Sequence, residues 1–175
     1  MTQDYSSNQS LTLFISYSRK DEAFAEELVA GLKAAGFQPY LDKRDIAAGE
    51  QWESRLSRLI EAAGTVVFVI SPDSVGSQRC GWEIERTASL RKRLIPVLWR
   101  DVEDSLVPPL LRRLNYIFFN RPHSFGPSLE ALSVALRTDL DWIREHTRLG
   151  ELSLRWQGRG RIDALLLRGE ELVGA

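Results

Sequence analysis

The sequence predicts an open, doubly wound α/β fold: a parallel sheet of about five strands with helices on both faces, plus a helical extension at the C-terminal end. Two observations carry this. Short runs of strand formers alternate with stretches whose apolar residues recur at helical spacing. The run Thr65 to Ile70 (TVVFVI) is also continuously apolar and β-branched, as a strand must be when helices cover both of its faces.

Met1 to Ser10 is polar and reads as a loose tail. Leu11 to Ser16 (LTLFIS) reads as the first strand. Lys20 to Ala35 follows as a helix, with Phe24, Leu28 and Leu32 on one stripe, and Gly36 supplies its stop. Phe37 to Leu41 (FQPYL) is a second strand, and Pro39, which cannot donate to a ladder, marks it as an edge or a short element. The polar segment Asp42 to Gln51 is a loop. From Trp52 onward, Leu56, Leu59, Ile60 and Ala63 form the stripe of a second helix, which leads into the central strand Thr65 to Ile70.

Ser71-Pro72-Asp73 breaks that strand and can open the next helix. Leu94 to Trp99 and Tyr116 to Phe119 are the last two strands, separated by Pro108-Pro109 and a short stretch from Leu110 to Leu114. Pro127 suits a first helical turn, and Leu129, Leu132, Leu136, Leu140 and Ile143 give a long amphipathic helix. A second helical stretch is expected around Leu149 to Trp156, ending at Gly158 and Gly160, and one more around Ile162 to Leu172.

Composition narrows the chemistry. A chain of 175 residues, 43% apolar and 27% charged, suits a domain with one buried core. No apolar run reaches the roughly 20 residues that cross a bilayer, and no basic, greasy leader opens the chain, so neither a membrane partner nor secretion is expected. One cysteine, Cys80, excludes an internal disulfide and suggests a reducing, cytoplasmic setting; with only His123 and His146 beside it, soft ligands are too few for zinc. A net charge of −1 gives no field to attract nucleic acid.

The familiar site motifs are missing. The turn Ser16 to Asp21 has neither Gly-rich phosphate loop, no G-x-S-x-G elbow occurs, and the ends of the first and third strands are Ser16 and Ser71 where a magnesium-binding receiver needs acids. Ligands of open α/β sheets nevertheless sit beyond the carboxyl ends of the strands. That rim carries Ser16 to Lys20, Asp42 to Trp52 and Ser71 to Glu83, with hydroxyls, charges of both signs and two indoles.

Four ordered motifs along that rim resemble one family. F-I-S-Y-S-R-K-D at Phe14 to Asp21, L-D-x-x-D-I-x-x-G-x-x-W at Leu41 to Trp52, V-V-F-V-I-S at Val66 to Ser71 and S-x-x-C-x-x-E at Ser77 to Glu83 are similar to those of the Toll/interleukin-1 receptor (TIR) domain, most of all its bacterial branch. The likeness runs from Leu11 to about Thr147. It implies a flavodoxin-like domain over 11–147 and a helical extension over 148–175, with a natural chain that continues into a sensor or oligomerisation region.

The resemblance implies two kinds of function. Some members are adaptors that associate with one another; many bacterial and plant members, and one animal branch, cleave the nicotinamide N-glycosidic bond of NAD. On the enzymatic reading NAD is the substrate, no cofactor or metal is needed, the partners are other TIR domains, and the role is phage defence triggered by self-association. The motif places the catalytic glutamate at Glu83. Tyr17, Ser18 and Arg19 match the nucleotide-approaching loop, with Arg19 able to pair with a phosphate. Asp42, Gly49 and Trp52 lie in the segment that gates the pocket and mediates self-association, although Trp52 also begins a helix stripe. Many bacterial relatives place a tryptophan where this chain has Arg79, so Trp82 or the Arg79 guanidinium plane is the expected surface for a base.

Helical spacing alone puts Cys80, Ile84 and Ala88 on a buried stripe, with Glu83 and Glu85 on its two flanks. Cys80 then reads as a small buried hydrophobe rather than a nucleophile. A nucleoside-processing transferase that also uses a glutamate is a more distant alternative.

Overall fold

The computed structural model describes residues 11–42, 52–122 and 124–161, without the side chains of 139–155. Gly49 and the expected helix around Ile162 to Leu172 lie outside the described residues. The chain divides into two compact units, Met1–Ser133 and Val134–Ala175.

The first unit holds a five-stranded, wholly parallel sheet in the order β2-β1-β3-β4-β5. Its elements are β1 (Thr12–Ser16), α1 (Glu22–Ala34), β2 (Gln38–Tyr40), α2 (Trp52–Ala62), β3 (Thr65–Ile70), α3 (Pro72–Val75), α4 (Gln78–Ser89), β4 (Arg93–Leu98), α5 (Pro109–Arg112) and β5 (Ile117–Phe118). All six residues of β3 are buried, as the unbroken apolar run requires. β2 is an edge strand of three residues containing Pro39. A second proline, Pro96, sits inside β4, and β5 pairs with β4 only beyond it, at Val97 and Leu98.

Packing follows the stripes. Phe24, Leu28 and Leu32 of α1 are buried, and the Phe24 ring stacks on Trp99 at 4.1 Å between centroids. α1 starts later than the periodicity suggests, because Arg19–Asp21 forms a 3-10 turn ahead of it. Gly36 ends α1 with φ +91°, a conformation cheap only for glycine, and the Phe37 amide closes on Leu32 O at 3.0 Å. Leu56 and Ile60 of α2 pack with Phe14, Ala63 and Val66.

Ser71 caps α3 with a reciprocal box: its hydroxyl accepts from the Ser74 amide at 3.1 Å, and its own amide donates to Ser74 Oγ at 2.9 Å. The helix then breaks at Gly76 and Ser77, and Ser77 caps a separate α4, accepting from the Cys80 amide at 3.3 Å. Glu83 therefore stands in the fourth helix.

α6 (Phe125–Gly158) is one helix of 34 residues, where the sequence suggested a long helix followed by another. A glycine costs a helix interior only about 1 kcal/mol, and Gly150 does not stop this one. The stop comes at Gly160, with φ +74°, where the Arg161 amide returns to Trp156 O at 2.8 Å.

Candidate active site

The order β2-β1-β3 makes the winding reverse at β1, and the ligand crevice of such a sheet lies beyond the carboxyl ends there. A cavity of about 350 Å³ occupies that place. Tyr17 to Lys20 come to it from the turn after β1, Asp42 from just beyond β2, and Ser77, Arg79, Cys80 and Glu83 from the start of α4.

Glu83 is 3% exposed. Its Oε2 accepts from the hydroxyl of Ser16, the last residue of β1, and its Oε1 accepts from Arg79 Nε at 3.4 Å, a long contact between residues one helical turn apart. Burial pushes the carboxyl up to about 7, against the lowering effects of the Ser16 hydrogen bond and the Arg79 charge. Arg79 makes its short contact elsewhere, from Nη2 to Asp42 Oδ2 at 2.7 Å, and Arg55 of α2 donates to the same oxygen at 2.9 Å. Asp42 thereby ties α2 and α4 to the end of β2.

The buried stripe of α4 consists of Cys80, Glu83, Ile84 and Thr87. This corrects the stripe read from periodicity: Ala88 is exposed, and Glu83 lies within the stripe instead of on its flank. The helix turns toward β1 because Ser16 offers Glu83 a donor. The Cys80 thiol is pushed up to about 12 by burial and by the Glu83 charge, so it holds its proton and is no nucleophile at neutral pH.

Of the expected site residues, the fold brings Tyr17, Ser18, Arg19, Asp42, Arg79 and Glu83 to one cavity. It does not bring Trp52 and Trp82 there. Their rings meet edge to face at 5.2 Å and pack on the Phe14 and Leu56 cluster between α2 and α4. The reason is angular: one residue along a helix turns the side chain by about 100°, so the neighbour of an inward Glu83 points toward α2. Trp82 instead lines a shallow groove with Glu53, Ser57, Glu61 and Arg86. The aromatic surface expected of Trp82 is therefore not at this cavity. Sequence reasoning missed Ser16 as a partner of Glu83; the signal was a polar residue closing the apolar, buried run Leu13 to Ile15.

Among the described residues no group of three or more His, Cys, Asp and Glu side chains could hold a metal ion, and no helix is long and apolar enough to cross a membrane.

Residues 13–133 match the family model for the TIR domain. Toll-like receptor 6 of Bos taurus is 30% identical over 138 residues, a match spanning 78% of this chain but only 16% of the receptor. The TIR domain of the Toll-related receptor TRR-2 from Hydra magnipapillata superposes with a TM-score of 0.61 at 24% identity, over 71% of this chain and 97% of that one. A CMP N-glycosidase of Clostridium botulinum, BcmB, shares the fold with a TM-score of 0.52 at 18% identity, over 71% and 98% of the two chains.

Proposed function

The chain belongs to the TIR domain family, and from that premise we propose that it is an NAD glycohydrolase or cyclase, active when its copies associate. The observation that carries this reading is Glu83: a carboxylate buried in a crevice lined also by hydroxyls, by the apolar Phe14, Ile15 and Cys80, by Asp42, and by the basic Arg19, Lys20 and Arg79. A carboxylate faces a developing cation, and basic side chains at the mouth suit a diphosphate.

The chemistry asks little more of the protein. The bond between ribose C1′ and the nicotinamide nitrogen breaks, and its electron pair neutralises the departing pyridinium, so no acid must protonate the leaving group. Glu83 accepts hydrogen bonds from the ribose and stabilises the oxocarbenium ion more than the substrate. Water then adds at C1′ and gives up a proton, forming ADP-ribose; attack by a nucleophile of the same molecule gives a cyclic isomer. A cavity of about 350 Å³ lies at the small end of ligand pockets. It takes one ring and its sugar, and leaves the rest of the dinucleotide over the basic mouth.

Nicotinamide release by wild type and Glu83→Ala, each with and without a molecular crowder, tests the reading. Release by wild type that the substitution removes supports it; equal release from both chains overturns the assignment. The bacterial branch and phage defence follow from the motifs and the cytoplasm from the single cysteine, while the similar receptors are animal proteins. A fall in cellular NAD when a bacterium expressing the chain meets phage would support them.

A second reading, a module that signals by TIR to TIR contact alone, is favoured by apolar surface. Leu106, Leu110, Leu114 and Phe118, on and around α5 and β5, are exposed. Absence of nicotinamide release from every chain under crowding would favour it.

A further inference from the structure

Arg79 stands where it could disable the site. Its guanidinium is one turn from Glu83 on the same helix, close enough to form a paired fork with the carboxylate. A Glu83 held in that fork would have a guanidinium on both oxygens and its charge matched, and it could not serve a ribosyl cation. The observed arrangement differs. Arg79 reaches Glu83 with Nε only, at 3.4 Å, and turns Nη2 to Asp42 at 2.7 Å. Asp42 is itself fixed, 8% exposed and held from α2 by Arg55 at 2.9 Å.

We propose that Asp42 is a positioning residue that draws Arg79 away from Glu83 and so keeps the carboxylate open to substrate. The assignment rests on the glycohydrolase reading for its purpose, but on the three side chains for its geometry. Among the described residues, the groups that face Glu83 are Ser16 from β1, Asp42 from beyond β2, and Arg79 and Cys80 from α4; Arg55 acts through Asp42, Asp21 stands next beyond Cys80, and Arg19 and Lys20 share the cavity. Of these, Arg79 alone combines a positive charge with a contact to the carboxylate.

The test is a double-mutant cycle read on Glu83 itself. The carbon-13 shift of its carboxyl is followed from about pH 4 to about pH 9 in wild type, Asp42→Asn, Arg79→Gln and the double variant. Loss of the Asp42 charge lowers the Glu83 midpoint in any background. If Asp42 restrains Arg79, the lowering is larger by about one unit or more where Arg79 is present, because the guanidinium then closes on Glu83. Equal lowering in both backgrounds overturns the proposal, since Asp42 would then act by its own charge alone. Asparagine keeps an acceptor for Arg55, and Asp42→Ser fills the same arm should that chain not fold.

Nicotinamide release supplies the second readout. In Asp42→Asn, kcat falls about tenfold, and adding Arg79→Gln restores it to the level of Arg79→Gln alone. A fall that Arg79→Gln does not relieve assigns Asp42 a merely structural role. If wild type itself releases no nicotinamide, the glycohydrolase reading fails while the titration still decides the positioning.

Discussion

Asp21 and Glu83 are both 3% exposed, and both accept from a serine at the carboxyl end of a strand, Ser71 after β3 for the first and Ser16 of β1 for the second. They differ in what else they hold. Asp21 receives Arg100 through Nε at 3.1 Å and Nη2 at 2.6 Å, and Arg100 is braced in turn by Asp73 at 2.5 Å. Among the described residues, Glu83 receives one long contact from a guanidinium committed to Asp42. A buried carboxylate whose charge is matched and whose lone pairs are filled fastens the fold. One left short of partners carries an uncompensated desolvation cost, and that shortage is what a cationic substrate can use.

Stability separates the two carboxylates most. Folded Glu83 keeps its proton up to about 7, while an unfolded glutamate releases it near 4.5. In that window the folded chain binds more protons, so the stability present below the unfolded value is lost as pH rises through the folded one. Glu83→Gln escapes this loss. Denaturant unfolding should find the variant up to roughly 3 kcal/mol more stable than wild type above neutrality, and no different at acid pH. Asp21→Asn should act the other way, costing about 2 kcal/mol near neutral pH while nicotinamide release per folded molecule holds. A stabilised Asp21 variant would erase the distinction.

Catalysis sharpens it next. Glu83 must be ionised to face a cation, so kcat/KM for NAD should rise with pH and level off above about 7. A profile flat from acid to neutral pH would contradict that role. Trp82→Ala should cost about 2 kcal/mol of stability through its lost contact with Trp52, yet leave KM for NAD within about twofold. A large rise in KM would return Trp82 to the site.

The strands and most helix faces were legible because hydrophobic period reports burial directly: β3 is apolar throughout and is buried throughout. Pro39 marked an edge strand because a missing amide donor is a local fact. What stayed hidden depended on neighbours in space. Period alone could not rotate α4 onto Glu83, since the rotation answers to Ser16, 67 residues away. The motif spacing singled out Glu83 but could not place its neighbour, and Trp82 and Arg79, both next to motif residues, face different surroundings. Asp42 was legible as a site residue; its grip on Arg79 and Arg55 required three elements to meet.

Whether the Glu83 charge drives cleavage is read from nicotinamide release from NAD by Glu83→Gln beside wild type, at crowded concentration and a pH above neutrality. Glutamine keeps the shape and an acceptor for Ser16 but carries no charge, so a loss of about a hundredfold or more is the expected result. Turnover within about twofold of wild type, in chains of equal fold and association state, would contradict the account.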